Sequence, residues 1–361
     1  MFYHFILPLK EYLSYLRVFQ YITFRSAYAA ITSLILVLLF GNLIIKWLQH
    51  LKFKEEIREL GPKSHHLKAG TPTMGGVIII GAVLISILLW GNFSNFYLLL
   101  VIASTILFCF LGFVDDFFKA VLKKSRGLSA RVKFLSQICI AFGISLLIYY
   151  YPSNPEHGTT FFIPFVNEAI ADLGFFWVIL STIVIVGTSN SVNLTDGLDG
   201  LAIGSITIVA LSLGIMTYLS GHIALANYLH IPYVADSAEL TVFMAALIGA
   251  SMGFLWFNSN PASVFMGDTG SLALGGIIGV VAIMIKKELF LFIVGGVFVL
   301  EAISVIVQVT WYKLTKKRVF KMAPLHHHFE LSGWAEQKIV VRMWILGIVL
   351  AILGLSSLKI L

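Results

Sequence analysis

Apolar residues run along this chain in stretches of about 20, parted by short polar segments, and a helix of that length crosses the hydrocarbon core of a bilayer. Ten such runs lie near 24–48, 73–90, 96–117, 132–151, 173–189, 200–219, 239–257, 266–285, 289–311 and 339–358. The pattern predicts an all-α, polytopic integral membrane bundle of about ten transmembrane helices. No repeat of 20 to 50 residues breaks it, so residues 1–361 read as a single transmembrane domain with its function concentrated on one face. Residues Phe2 to Tyr21 mix aromatics with Lys10 and Arg17 and read as an interfacial segment; they lack the pattern of a cleavable signal.

The polar edges of these runs carry the chemistry. Asp115, Asp116, Asp196, Asp199 and Asp268 recur at the ends of apolar spans, where an acid is costly unless it faces a cavity, a cation or the interface. Orientation follows from the basic loops. Lys52, Lys54, Arg58, Lys63 and Lys68 follow the first span. Lys119, Lys123, Lys124, Arg126, Arg131 and Lys133 follow the third, and Lys313, Lys316, Lys317, Arg318, Lys321 and Lys338 follow the ninth. They outweigh Lys10, Arg17, Arg25, Lys286, Lys287 and Lys359 on the other face, so both termini are expected outside and all five acids at the cytoplasmic edge.

Composition supports lipid as the solvent: 58% of the residues are hydrophobic and 12% charged, against roughly 25% charged in a soluble domain. The formal charge of +7 lies in topology-setting loops, which argues against nucleic-acid binding. Cys109 and Cys139 sit inside apolar runs without metal-ligand spacing and read as packing residues.

Asp115 and Asp116 close the third span in GFVDDFFK, at the negative end of a helix dipole, so a cation must compensate them. Lys119 lies on the same helix face; a divalent metal is the functional alternative. Asp196 and Asp199 fall in SNSVNLTDGLDGLA, read as a loop between the fifth and sixth spans. Asp199 can cap the sixth helix, whereas Asn190, Asn193, Thr195 and Asp196 crowd together as polar-ligand or metal-supporting groups. In NPASVFMGDTGSLALGG, backbone N–H groups at the start of the eighth helix offer an anion site. An acid beside a phosphate needs a hard cation between them, which makes Asp268 the first candidate for an Mg2+ ligand. Its structural alternative is an N-cap. Adjacent side chains diverge, so His326, His327 and His328 in APLHHHFE suit a donor-diphosphate pocket better than a zinc ion, with Lys68 adding positive charge. Glu301, an acid within the ninth span, remains unassigned.

TPTMGG at 71–76, DDFFK at 115–119, NLTDGLDGLA at 193–202, FMGDTGS at 265–271 and the histidine run at 326–328 together resemble the polyprenyl-phosphate N-acetylhexosamine-1-phosphate transferase superfamily. The histidines after APL look like its muramoyl-pentapeptide branch, and the likeness covers essentially the whole chain. It implies an enzyme of the bacterial inner membrane that transfers phospho-MurNAc-pentapeptide from UDP-MurNAc-pentapeptide to undecaprenyl phosphate, giving UMP, with Mg2+ as cofactor. Asp268 would hold the metal, and Asp115 or Asp116 would act on the lipid phosphate. His326 and His327 would complete the catalytic set. Lys68, Asp199 and Asn258 would hold the uridine part, and Phe265 would stack on it. The expected substrate contacts further include Thr73, Lys119, Lys133, Asn190, Asn193, Asp196 and His328. A covalent aspartyl-phosphate route and a homodimer both stay open. The runner-up activity is a UDP-GlcNAc:undecaprenyl-phosphate GlcNAc-1-phosphate transferase. A secondary transporter would place its acids at the midplane of paired inverted halves, a pattern this chain lacks.

Overall fold

The computed structural model describes residues 2–6, 13–51, 70–120, 127–166 and 169–358. Lys68 and the other basic residues of 52–69 lie outside them, as do Lys123, Lys124 and Arg126. The helices are α1 (Phe2–Ile6), α2 (Ile22–His50), α3 (Gly76–Trp90), α4 (Phe96–Ala120) and α5 (Ala130–Tyr150), followed by a hairpin, β1 (Thr160–Phe162) and β2 (Ala169–Asp172). Then come α6 (Phe176–Thr195), α7 (Leu201–Ser220), α8 (Ile223–Leu229), α9 (Ser237–Asn258), α10 (Gly267–Met284), α11 (Glu288–Val294), α12 (Gly296–Thr315), α13 (Leu325–Glu330) and α14 (Glu336–Leu355).

Nine of these helices are long and apolar enough to cross a membrane, and α3 is a shorter apolar helix. Each expected span has a helix at its position. The ninth is divided at Gly295, so that α11 and α12 share it. The fifth runs further than its apolar stretch suggests: α6 continues to Thr195, placing Asn190 and Asn193 on a helix rather than in a loop. Their polar side chains end the hydropathic run without ending the hydrogen-bonded one. The antiparallel hairpin in the loop after α5 was not expected from the hydropathy pattern.

The centre of the bundle is α10. Every residue from Thr269 to Met284 is buried, with α4, α6 and α3 packed around it. Large apolar side chains on α2, α12 and α14, among them Leu39, Leu43, Ile306, Leu314, Ile345 and Ile352, point outward as a lipid-facing surface requires. Arg25, counted above among the topology charges, is instead buried in α2 and donates to both oxygens of Glu239 on α9. Its charge is matched inside the protein, so it drops out of the argument against the assigned orientation.

Candidate active site

The site begins with a close approach of α4 to α10. A Cβ built on Gly112 would lie 2.1 Å from the Asp268 carbonyl oxygen, so only glycine permits this spacing. Asp115 and Asp116 follow three and four residues later on the same face of α4. Both are buried, at 2% and 4% exposure.

Asp116 caps α10 from outside. Its Oδ1 accepts the Asp268 N–H at 3.1 Å, and its Oδ2 accepts the Thr269 N–H at 2.8 Å and the Thr269 hydroxyl at 2.6 Å. A carboxylate is well placed at the positive end of that helix dipole. The finding corrects one expectation: the N–H groups read as a ligand's anion site already hold an internal anion. Asp268 itself makes no capping bond, which removes its structural alternative.

Asp268 faces two lysines. Lys119 and Lys133 Nζ each lie 2.7 Å from its Oδ2, while Asn193 Nδ2 donates to its Oδ1 at 2.6 Å. Lys119 also reaches Asp115 Oδ2 at 2.6 Å, the pairing that the helix spacing predicts, and Leu128 N–H donates to Asp115 Oδ1 at 2.9 Å. Asp115, Asp116 and Asp268 offer ligand oxygens all within 4.8 Å of one another. Three carboxyl groups crowded this closely repel one another, and their hard oxygens suit Mg2+ alongside the two lysines. The donor set therefore fits the cofactor that the motifs imply.

The TPTMGG segment docks beside this cluster by backbone pairing. Phe265 N–H donates to Pro72 O, Gly75 N–H to Phe265 O and Gly76 N–H to Met266 O. A Cβ on Gly267 would meet Asp116 Oδ2 at 2.7 Å and Thr73 Oγ1 at 2.8 Å, so the Thr73 hydroxyl sits at the aspartates. Phe265 is half-buried on the same segment.

Other expected residues stand further back. Asn190 commits its amide to Gln137 Oε1 and Val186 O and so joins α6 to α5. Asp196 ends α6 at its C-cap. Asp199 does not cap α7. The N-cap of that helix is Gly200, whose left-handed φ of 82° and whose N–H bond to Asn258 Oδ1 leave no place for the aspartate. Asp199 instead accepts from Asn260 Nδ2 and the Ala262 N–H, and Asn258 Nδ2 holds Val264 O. Both residues thus shape the loop between α9 and α10.

The three histidines diverge, as adjacent positions on α13 must. His326 turns inward, its Nδ1 3.2 Å from Glu301 Oε2. His327 Nδ1 lies 2.7 Å from Glu330 Oε2, and His328 Nδ1 accepts the Lys321 N–H. Among the described residues the three rings converge on no common point: His326 faces Glu301, His327 faces Glu330 and His328 faces the Lys321 backbone. Sequence reasoning missed Glu336, which accepts the Asp199 N–H and Asn260 Nδ2, and nothing in its local pattern distinguishes it. Glu301 carried a signal, an acid in an apolar span, with no visible partner.

The profile of glycosyl transferase family 4 matches residues 98–286, and signature 1 of phospho-N-acetylmuramoyl-pentapeptide-transferase matches residues 68–80. The chain is 53% identical over 355 residues to the phospho-N-acetylmuramoyl-pentapeptide-transferase of Leptospira biflexa, covering 96% of each. It is 49% identical over 361 residues to that of Desulfosudis oleivorans, covering 100% of each, and 50% identical over 360 residues to that of Syntrophus aciditrophicus, covering 99% of each.

Proposed function

This chain belongs to the phospho-N-acetylmuramoyl-pentapeptide-transferase family, and from that premise we propose that its aspartate cluster transfers phospho-MurNAc-pentapeptide from UDP-MurNAc-pentapeptide to undecaprenyl phosphate. A lipid phosphate oxygen attacks the sugar-bearing phosphorus of the donor, the bond from that phosphorus to the UMP oxygen breaks, and UMP leaves. The new diphosphate stays on the lipid. The site faces the cytoplasm of a bacterial inner membrane, where the nucleotide donor is soluble.

The observation that supports this reading best is the convergence of Asp115, Asp116 and Asp268 with Lys119 and Lys133 at one end of a membrane bundle. Phosphoryl transfer needs positioning and charge neutralisation more than covalent chemistry. Asp268 and Asp115 would hold Mg2+, which when bound neutralises diphosphate charge. Asp116 is saturated by α10 and serves as framework. Asp115, which meets the Leu128 N–H, Lys119 and the Asp268 carboxyl but caps no helix, is the carboxylate that orients the acceptor phosphate. Lys119, with a side chain 41% exposed, can leave Asp268 for a substrate phosphate, while the less exposed Lys133 stays.

Solubilised protein given undecaprenyl phosphate, Mg2+ and either UDP-MurNAc-pentapeptide or UDP-GlcNAc should form lipid-linked product from the first donor alone. Product from UDP-GlcNAc alone would move the chain to the runner-up activity.

A further inference from the structure

At the end of α10 away from Asp268, about 27 Å along an 18-residue helix, the chain turns through Lys286 and Lys287. A cavity opens at this turn. Its walls include Phe162 and Phe165 of the hairpin, Ile231 and Pro232 between α8 and α9, Phe290 of α11 and Leu358 beyond α14. Both lysines line it, and they differ in what they hold.

Lys286 is committed. Its Nζ donates to Gly158 O at 2.5 Å and lies 3.5 Å above the Trp177 ring. Its backbone is left-handed, with φ at 58°, a conformation that a non-glycine residue keeps only where its surroundings enforce it. The neighbouring acid, Glu288, accepts from Trp177 Nε1. The Lys287 Nζ makes no hydrogen bond or close ion pair with a described residue, and its nearest opposite charge is Glu288, which Lys286 shares. Burial pushes its pKa down to about 8, with Glu288 opposing only in part. One acid set against two buried ammoniums leaves a surplus positive charge at this turn, an unfavourable arrangement that a bound anion relieves.

We propose that this cavity binds the anionic head group of a membrane phospholipid, with the phosphate on Lys287 and the acyl chains against the exposed Phe165, Val166 and Ile170 at its rim. The cavity mixes polar groups, His230 and Ser357 among them, with aromatic and aliphatic ones, as the meeting point of a head group and its acyl chains requires. The rim argues the same way: Phe165, Val166 and Ile170 of the hairpin are exposed where the helices end, as side chains dipping into a lipid interface would be. The site is separate from the aspartate cluster, so its ligand stabilises the bundle without joining the reaction.

The test uses the full-length protein, delipidated in detergent, with native mass spectrometry for retained lipid and thermal unfolding for stabilisation. Dioleoyl phosphatidylglycerol should remain bound and raise the unfolding temperature, dioleoyl phosphatidylcholine should do so far less, and inorganic phosphate should not. Lys287→Glu should cut phosphatidylglycerol occupancy about tenfold or more, and Lys287→Arg should keep it. Leu358→Trp, which fills the cavity and leaves the charge, should cut it as well, and it carries the test if Lys287→Glu does not fold. Equal occupancy in the wild type and these variants, or equal retention of the two lipids, would overturn the proposal. So would a thermal shift reproduced by inorganic phosphate.

Discussion

The His326 ring stands against Gly197 so closely that a Cβ built on the glycine would lie 2.3 Å from Nε2. The other ring nitrogen is 3.2 Å from Glu301 Oε2, and His326 and Glu301 are both buried. One imidazole therefore ties the loop bearing Asp196 and Asp199 to α12 in the bundle.

Gly197→Ala should push His326 aside and shift the neighbouring aspartates. An overpacked contact of this kind costs about 1–3 kcal/mol, and a misplaced site residue lowers turnover by about 100-fold. Lipid-linked product formation together with thermal unfolding measures both effects. Wild-type activity in this variant would show that the contact does not position the loop.

Glu301 and the histidines give a graded series. Glu301 Oε1 has no hydrogen-bond partner, whereas Oε2 accepts the His326 backbone N–H and lies 3.2 Å from the ring Nδ1. Glu301→Gln can keep the Oε2 contacts and should retain most activity, while Glu301→Ala should approach the loss seen in His326→Ala. His328→Ala should be mild, because that ring packs on Phe320 and receives only a loop N–H. Added zinc should restore none of them. Stoichiometric zinc in the purified protein, lost on mutating the run, would contradict this account.

Asp116→Ala should destabilise the protein by about 1–3 kcal/mol, since it strips a charged cap from two backbone N–H groups and leaves the Thr269 hydroxyl unpaired in a buried place. Asp115→Ala should cost less stability but more turnover. Unfolding temperature and kcat for the pair separate the framework role from the chemical one, and an equal fall in stability for both would argue against it.

The spans were legible because about 20 apolar residues in a row have few alternatives to a membrane helix; nine runs hold a helix of that length and the second holds the shorter α3. The aspartates were legible as costly charges at apolar ends. Their division of labour was not. That Asp116 caps α10 while Asp268 faces lysines depends on α4 meeting α10 at Gly112, a contact 156 residues apart in sequence that no local pattern encodes. Asn190 and Asn193 looked equivalent in one polar cluster, yet α6 runs through both and turns only Asn193 to Asp268. The break between α11 and α12 and the partner of Glu301 were hidden for the same reason, since hydropathy reports burial and not which neighbour is met.

The central claim is that Asp268 holds the metal, and the Mg2+ dependence of turnover in Asp268→Asn tests it most directly. The amide keeps the size of the carboxylate, and the cap of α10 is untouched because Asp116 provides it. The variant should fold with a near-normal unfolding temperature and show no Mg2+-dependent turnover at any concentration. Near-normal activity with an unchanged Mg2+ dependence would contradict the assignment.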